Sequence, residues 1–201
     1  MATRGFVGKR RPPDGVKLPP GQYDVGRDFP VLTAEATPRL DPDLWTLTID
    51  GLVEHEHTWT WADLHALPQS EYRGDIHCVT TWSKFDTSFG GVSLDLLLDA
   101  VQPQSEATHV FVTSTTGYTT NLPLEELRDG RAWIVWSHEG KPLSREHGGP
   151  VRLLVPRLYF WKSAKWVTRI SLRDHDEQGF WERNGYHDLG DPWLEQRYQG
   201  D

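Results

Sequence analysis

The chain has 201 residues, of which 37% are hydrophobic and 25% charged, a globular composition with enough length for one domain and its core. Its formal net charge of −8 argues against a nucleic-acid partner, because general polyanion binders need a basic face that displaces counterions. The single cysteine, Cys78, excludes an internal disulfide, and no export signal or long apolar run is visible. We therefore expect a cytoplasmic protein that does not span a membrane.

The two ends of the chain differ in composition from its middle. Residues 1–28 form a basic, proline-rich arm. Residues 173–201 are rich in tryptophan and tyrosine, a density of aromatic side chains that predicts a tail packed on the body of the protein. We therefore predict one central domain over residues 29–172, preceded by the arm and followed by the tail.

The first half of the chain predicts strands and helices in alternation, with turn residues between them. Alternating apolar and threonine residues indicate a strand, and a serine or threonine followed by apolar residues at helical spacing indicates a capped helix. The predicted elements are a strand over 44–49, a helix over 61–67 capped by Thr60, a strand over 72–79 that leads into a loop ending at Gly90 and Gly91, and a helix over 93–101 capped by Ser93.

The second half is dominated by short strands. The predicted elements are a hairpin of strands 109–114 and 118–122, a short helix over 123–129, and strands over 132–137, 151–155 and 165–172. Strands outnumber helices and come as hairpin-like runs instead of strict β-α-β alternation. We predict an α+β fold with mixed or antiparallel β-sheets and interspersed short helices.

Cys78 has three possible roles. A free cysteine is most often a small buried hydrophobic residue. A nucleophilic cysteine needs a histidine base, and His138 or His147 could serve only if the fold brings one near. Adjacent His77 is poorly placed for this, since neighbours on a strand point to opposite faces. As a metal ligand, the thiolate could hold a metal whose other ligands come from a cofactor, whereas the scattered histidines do not have zinc-site spacing.

A second group of residues lies between positions 146 and 170. His147 and a Gly-Gly-Pro turn precede Arg152, and Ser163 and Lys165 follow a short aromatic loop. Exposed turn amides, an arginine and a lysine at fixed offsets are how proteins hold a phosphate group. The alternative is an ordinary solvated basic strand end.

Together the two groups resemble the molybdopterin-binding domain of the sulfite oxidase family, including its bacterial methionine-sulfoxide-reductase branch. The residues that carry the resemblance are "HCVTTWSKFDTSFGGVSLDLLLDAV" and "GKPLSREHGGPVRLLVPRLYFWKSAKWVTRISL". A cysteine loop, a helix, an "HGGPVR" turn and a "KSAK" segment occur in the family's order, and the resemblance runs from about residue 29 to 172. It implies the fold of that domain.

The resemblance also implies a Mo-molybdopterin cofactor and a set of contact residues. The Cys78 thiolate would bind molybdenum, and the other sulfur ligands would come from the pyranopterin dithiolene. The implied pterin and phosphate contacts are Phe29, Pro30, Thr113, His147, Arg152, Ser163, Ala164 and Lys165.

The implied activity is transfer of an oxygen atom to or from a small, sulfur-containing substrate, with electrons exchanged with a separate cytochrome or flavoprotein. His77 stands where relatives often have an arginine, which leaves the substrate open. Candidates for orienting an anionic substrate are Arg73, His77, Lys84 and Arg157. The alternatives are a non-catalytic module that binds a pterin or another phosphorylated ligand, and a cysteine-dependent hydrolase or thiol redox enzyme.

Overall fold

The structure is a computed structural model that describes Gly15 and residues 17–201. About half of the predicted basic arm, residues 1–14 and residue 16, lies outside the described residues. The described strands are β1 (Tyr23–Asp24), β2 (Thr46–Gly51), β3 (His57–Thr60), β4 (Ser70–His77), β5 (Trp82–Ser93), β6 (His109–Ser114), β7 (Thr119–Pro123), β8 (Trp133–His138), β9 (Lys141–Pro142), β10 (Arg152–Leu154) and β11 (Val167–Arg173).

The helices are short and lie between the strands. They are α1 (Trp61–Ala66), α2 (Leu94–Val101) and α3 (Phe180–Arg183), with 3₁₀ turns at Pro42–Leu44, Leu124–Leu127, Arg145–His147 and Phe160–Lys162. Thr60 caps α1 through a complete capping box with Asp63, and the Ser93 hydroxyl accepts a hydrogen bond from the Asp95 amide at the start of α2. Among the described residues, no helix combines the length and apolar character needed to cross a bilayer.

Two mixed sheets form the body of the protein. In the first sheet the strands follow the order β1-β5-β8-β10, with β4 paired to β5 and β9 to β8, and β1 runs parallel to β5. In the second sheet the order is β3-β2-β11-β6-β7, and β2 runs parallel to β11. The other strand pairs are antiparallel. The predicted α+β fold with mixed sheets and interspersed short helices is confirmed.

The buried apolar residues form two clusters. The larger one lies between α2 and the strands of both sheets and includes Leu47, Leu97 and Ile170. The smaller one consists of Ile76, Cys78, Trp82, Phe89, Val135, Leu143 and Leu154. The Cys78 side chain is thus part of a packed cluster, and this packing restricts its position more than a place in a solvated loop would.

The structure corrects the predicted loop after Cys78. Residues 82–93 form β5, the longest strand described, and the connection from β4 is only the turn Cys78–Thr81. Polar Ser83, Thr87 and Ser88 are buried on this central strand, so the alternation that predicts a strand is missing. At Gly91 the β8 backbone passes so close that an added Cβ would lie 2.0 Å from the Ile134 carbonyl oxygen.

The remaining predicted elements agree with the structure to within a few residues, with one other correction. The predicted helix over 123–129 is only the 3₁₀ turn Leu124–Leu127, which has no side-chain cap. In the tail, residues 173–201, Trp181 packs against the larger cluster and Glu182 is fully buried. The domain bounds at 29 and 172 stay a prediction.

Candidate active site

A cavity of about 270 Å³ lies where the two groups of residues meet. Its walls are residues 29–35, which we call the strap, the turn Cys78–Thr81, which we call the thiol turn, and most of the segment 160–166. Trp181 and Tyr186 of the tail complete the wall. The cavity has a thiol end at Cys78 and a cationic end formed by His147, Arg152 and Lys165.

The thiol end is built on a tight turn between β4 and β5. The Cys78 amide donates to the Trp82 carbonyl at 2.8 Å, the Thr81 amide donates back to the Cys78 carbonyl at 3.0 Å, and Thr81 has a positive φ of 76°. The Cys78 sulfur lies 3.2 Å from the Thr80 hydroxyl, and the residue is only 7% exposed. Burial raises the pKa of the Cys78 thiol, and the contacts with Thr80 and the charge of Arg197 oppose that increase.

The cationic end is held together by main-chain pairing between β10 and the segment that follows it. Arg152 and Lys165 face each other in an isolated antiparallel bridge. The Leu153 amide donates to the Ala164 carbonyl at 2.9 Å, and the Val155 amide donates to the Ser163 hydroxyl at 2.9 Å. These bonds explain why residues eleven to thirteen positions apart in the chain line one wall.

Arg152 is the most deeply buried cation that lines the cavity. It is 2% exposed, and its two terminal nitrogens donate to the carbonyls of His147 at 2.9 Å and Ser163 at 2.7 Å. Its guanidinium carbon lies 4.0 Å from the centre of the Phe160 ring. Burial without a carboxylate partner in the described part of the chain lowers the pKa of Arg152 to about 9. A buried guanidinium with only neutral partners is suited to an anionic ligand.

Lys165 adds a second cation beside Arg152. Its ammonium donates to the Glu146 carbonyl at 2.7 Å. Burial and the neighbouring charge of Arg152 lower the pKa of Lys165 to about 8. The turn that precedes Arg152 needs glycine at position 148. Gly148 has a φ of +106°, and an added Cβ would lie 3.0 Å from the Arg152 Cβ.

The strap crosses the cavity and is attached at both ends. The Phe29 ring stacks on the His147 ring with centroids 3.9 Å apart, and the His147 Nε2 lies 3.0 Å from the Phe29 carbonyl oxygen. At the other end, the Thr116 hydroxyl donates to the Glu35 carboxylate. Burial lowers the pKa of His147, and the contact with Phe29 opposes this. Phe29 and Pro30 therefore lie on the wall that faces the thiol turn and the cations.

The polar groups that line the cavity fit a cofactor in which a pterin carries a phosphate group and brings its own metal ligands. Trp82 lines the cavity, and its indole N–H is buried without a hydrogen-bond partner in the described residues. Arg152 and Lys165 supply two cations to one anionic group. Within the described ranges no three His, Cys, Asp or Glu side chains gather as a metal site, so a metal at Cys78 would need its other ligands from a cofactor.

Five residues predicted for the site lie away from the cavity. Arg73 has a side chain that is 64% exposed and contacts Glu71 and Asp86 at 3.5 and 3.8 Å. The Arg157 guanidinium donates to the Glu126 carboxylate at 2.7 Å. Neither arginine lines the cavity.

Thr113 and His77 also point elsewhere. Thr113 lies on β6 opposite Arg169 of β11 and does not line the cavity. His77, the last residue of β4, is buried but does not line the cavity; its Nδ1 lies 2.7 Å from the Ser83 hydroxyl, and burial lowers its pKa to about 4. Lys84, the remaining candidate for an anionic substrate, donates to the Gly26 carbonyl at 3.2 Å. The structure thus brings Phe29, Pro30, Cys78, His147, Arg152, Ser163, Ala164 and Lys165 to one cavity, and leaves Arg73, His77, Lys84, Thr113 and Arg157 outside it.

Sequence analysis missed several residues of the cavity wall. Thr80 is only two positions after Cys78, and its hydroxyl could have been recognised as a partner for the sulfur. Trp82, Tyr118 and Tyr186 line the cavity from three separate parts of the chain. No local pattern brings these aromatic residues together, because their proximity depends on the pairing of distant strands and on the path of the tail.

These features define a molybdopterin-binding oxidoreductase domain, and comparison with known proteins shows the family directly. The chain belongs to the family described as "oxidoreductase molybdopterin binding domain", which matches residues 34–181. The predicted relation to the sulfite oxidase type of domain and the Mo-molybdopterin cofactor are confirmed. The protein is an oxidoreductase.

Individual relatives agree with this assignment. The chain is 41% identical over 198 residues to the uncharacterized oxidoreductase YuiH of Bacillus subtilis (strain 168), covering 98% of this chain and 100% of that protein. It is 28% identical to the protein-methionine-sulfoxide reductase catalytic subunit MsrP of Gluconobacter oxydans (strain 621H), covering 81% of this chain and 56% of that protein. The crystal structure of the sulfane dehydrogenase SoxCD from Paracoccus pantotrophus shares the fold, with a TM-score of 0.66 at 20% identity, covering 88% of this chain and 53% of that one. The chain thus spans about half the length of the latter two.

Proposed function

We propose that this protein transfers an oxygen atom to or from a small, neutral, sulfur-containing substrate, with the Cys78 thiolate as the protein ligand of molybdenum. The observation that carries the proposal is that Cys78 lines the same cavity as Arg152 and Lys165. When bound, the molybdenum cofactor supplies the two-electron chemistry. The chain supplies the sulfur ligand at one end of the cavity and the anion contacts at the other.

The cationic end would hold the phosphate of the cofactor. Arg152 is already oriented by the His147 and Ser163 carbonyls, so little side-chain entropy is lost when it meets an anion. Lys165 would add a point charge from the facing strand end. Phe29 and Pro30 of the strap would cover the pterin rings and exclude water.

The thiol end would accept the substrate, and its wall favours a neutral molecule. Next to Cys78 the cavity is lined by Val79, Thr80, Trp82 and Tyr186. The side chains that could have oriented a small inorganic oxyanion such as sulfite do not line it, and the described lysine and arginine side chains that do line it are those of the cationic end. A sulfoxide or thioether can bind against such an apolar, aromatic wall without leaving a charge unpaired. A relative named as a methionine-sulfoxide reductase supports this class.

The cysteine-hydrolase alternative has no supporting observation. The sulfur contacts Thr80 instead of a histidine, and burial raises the pKa of the thiol, which opposes formation of a free nucleophile. The non-catalytic alternative would leave a buried cysteine at the cavity without a use. The non-catalytic alternative remains an outcome of the experiment below.

Metal analysis combined with two activity assays tests the proposal. Purified protein should contain about one molybdenum and one pterin per chain. With a reduced viologen dye as electron donor, it should convert a sulfoxide to the thioether: the S–O bond breaks, two molecules of the one-electron dye supply the two electrons, and the oxygen leaves as water with two protons. Oxidation of sulfite with ferricyanide should be slower. Protein that binds pterin but turns over neither substrate would favour the binding module, and rapid sulfite turnover would contradict the neutral-substrate proposal.

Two further features of the proposal concern the surroundings of the enzyme. The enzyme would exchange electrons with a separate redox protein, either a cytochrome or a flavoprotein. A pull-down from the native host tests which of the two it is. The cytoplasmic location stays a prediction from the sequence, and cell fractionation tests it.

A further inference from the structure

The end of the tail contacts the thiol turn, although it lies outside the segment that matches the family. The match ends at residue 181, and Arg197 lies sixteen positions further along. One terminal nitrogen of Arg197 donates to the carbonyl of Val79, the residue after Cys78, at 2.6 Å. The other donates to the Pro20 carbonyl at 3.2 Å. Arg197 therefore connects the tail, the thiol turn and the segment before the strap.

The guanidinium of Arg197 is well placed for a fixed role. Its side chain is 14% exposed, and its guanidinium carbon lies 5.1 Å from the centre of the Tyr159 ring. In the described part of the chain the nearest carboxylate to this guanidinium, on Glu195, is 4.0 Å away, and its shortest contacts are to neutral carbonyls. A positive charge in this position is retained beside the turn instead of being neutralised by a close ion pair.

The tail backbone is folded so that Arg197 points at the turn. The His187 amide donates to the Arg197 carbonyl at 3.2 Å, and the Arg197 amide donates to the Asp201 carboxylate at 2.9 Å. The Gln199 amide donates to the Gly185 carbonyl at 3.0 Å. These bonds fix the backbone around Arg197, from which its side chain reaches the thiol turn.

The thiol turn is also held by the segment around residue 22. The Gln22 side-chain amide donates to the Cys78 carbonyl at 3.1 Å, and the Tyr23 amide donates to the Thr81 carbonyl at 2.9 Å. Within the described residues, Arg197 supplies the positive charge among these contacts. Two distant segments thus hold the turn, an arrangement that we call the clamp, and one of them carries a positive charge.

We propose that Arg197 is a positioning residue of the cofactor site, which holds Cys78 through the Val79 carbonyl and raises the reduction potential of a metal bound to the thiolate. This inference rests on the proposed ligation by Cys78. A fixed positive charge near a redox centre favours its reduced form, because that form carries the more negative charge. The bond to the Val79 carbonyl restrains the turn independently of charge.

A redox titration of the holoenzyme separates the two parts of the proposal. In Arg197→Met, which removes the charge but keeps an unbranched side chain, the midpoint potential of the molybdenum EPR signal should shift to lower values. Arg197→Lys should restore it towards the wild-type value, since the charge is kept. Arg183→Met is the matched control, because Arg183 lies in the same tail but contacts the Thr119 hydroxyl, and its potential should equal that of the wild type. An unchanged potential in Arg197→Met overturns the electrostatic role.

Hydrogen exchange of the metal-free protein tests the clamp without any activity assay. The amides of the thiol turn should exchange about tenfold faster in Arg197→Met, which corresponds to the loss of about 1.4 kcal/mol from one charge-assisted hydrogen bond. Exchange at the wild-type rate overturns the clamp. If the wild-type protein contains no molybdenum, the proposed function fails, and the exchange experiment still decides whether Arg197 restrains the turn.

Discussion

The two ends of the cavity are built in different ways. At the cationic end, Arg152 and Lys165 lie on chain segments that pair with each other through main-chain hydrogen bonds. At the thiol end, Cys78 lies on a four-residue turn that is held by side chains more than fifty positions away. A local main-chain scaffold thus fixes the binding groups, and distant contacts fix the reactive sulfur.

Burial shifts the pKa values at the two ends of the cavity in opposite directions. Burial lowers the pKa values of Arg152 and Lys165, so their positive charges are held at a cost that a bound anion would offset. Burial raises the pKa of Cys78, and under the proposed ligation a metal would replace the proton of its thiol. Binding and chemistry are therefore assigned to separate groups, and substitutions at the two ends should have separable effects.

The largest effect is expected at the thiol end. Cys78→Ser should lower turnover by about a thousandfold, equivalent to about 4 kcal/mol of activation free energy, because the hydroxyl is a poorer ligand for the metal. The pterin content should stay near that of the wild type, since the cationic end is intact. Activity and pterin assays on the same preparation check this, and loss of the pterin together with activity would erase the distinction between the ends.

The cationic end should show the opposite result. Arg152→Met removes the guanidinium that we propose for the phosphate, and it should weaken cofactor retention by about tenfold to a hundredfold. Turnover per bound cofactor should change much less. Pterin content after dialysis measures retention, with Arg131→Met as the control at an exposed arginine. Full retention of the pterin in Arg152→Met would show that the phosphate is held elsewhere.

The charge on Lys165 predicts a pH dependence of cofactor retention. Its pKa is lowered to about 8 in the metal-free protein, and a bound phosphate would raise it. Below pH 8 the Lys165 ammonium is charged in both the cofactor-free and the cofactor-bound protein, so the affinity for the cofactor should be constant. Above pH 8 binding requires Lys165 to take up a proton, and this affinity should fall by up to about tenfold per pH unit. Dialysis between pH 7 and pH 9 measures this. Lys165→Met should flatten the profile below pH 9, where Arg152 is still mostly charged.

The smallest effect is expected from the hydroxyl beside the sulfur. Thr80→Val removes the group that lies 3.2 Å from the Cys78 sulfur while it keeps the shape of the side chain. Turnover should fall by about threefold, because one weak hydrogen bond contributes less than about 1 kcal/mol, and pterin content should not change. Steady-state kinetics with the sulfoxide measure it. A loss as large as that of Cys78→Ser would mean that the hydroxyl itself takes part in the reaction.

The sequence predicts the cationic end and the position of Cys78 at the end of a strand because both depend on local patterns. His147 and Arg152 lie within six residues of each other, and the strand before Cys78 ends one residue before the thiol. The fold class follows from the alternation of short strands and turn residues. These are the features for which neighbours in sequence are also neighbours in space.

The parts that the sequence does not predict depend on long-range contacts. β5 is missed because buried Ser83 and Thr87 interrupt its apolar pattern, and they are accommodated only by partners from other strands. Arg157 is a candidate from its place in the basic segment, yet Glu126 from a distant turn pairs with it. Arg197 has no sequence motif, and only the path of the tail brings it to the thiol turn.

X-ray absorption at the molybdenum edge of the purified protein tests the central claim, that the Cys78 sulfur is bound to the metal. Comparison of the wild type with Cys78→Ser should show one sulfur neighbour fewer and one oxygen or nitrogen neighbour more in the variant. An identical number of sulfur neighbours in the two proteins would contradict the account.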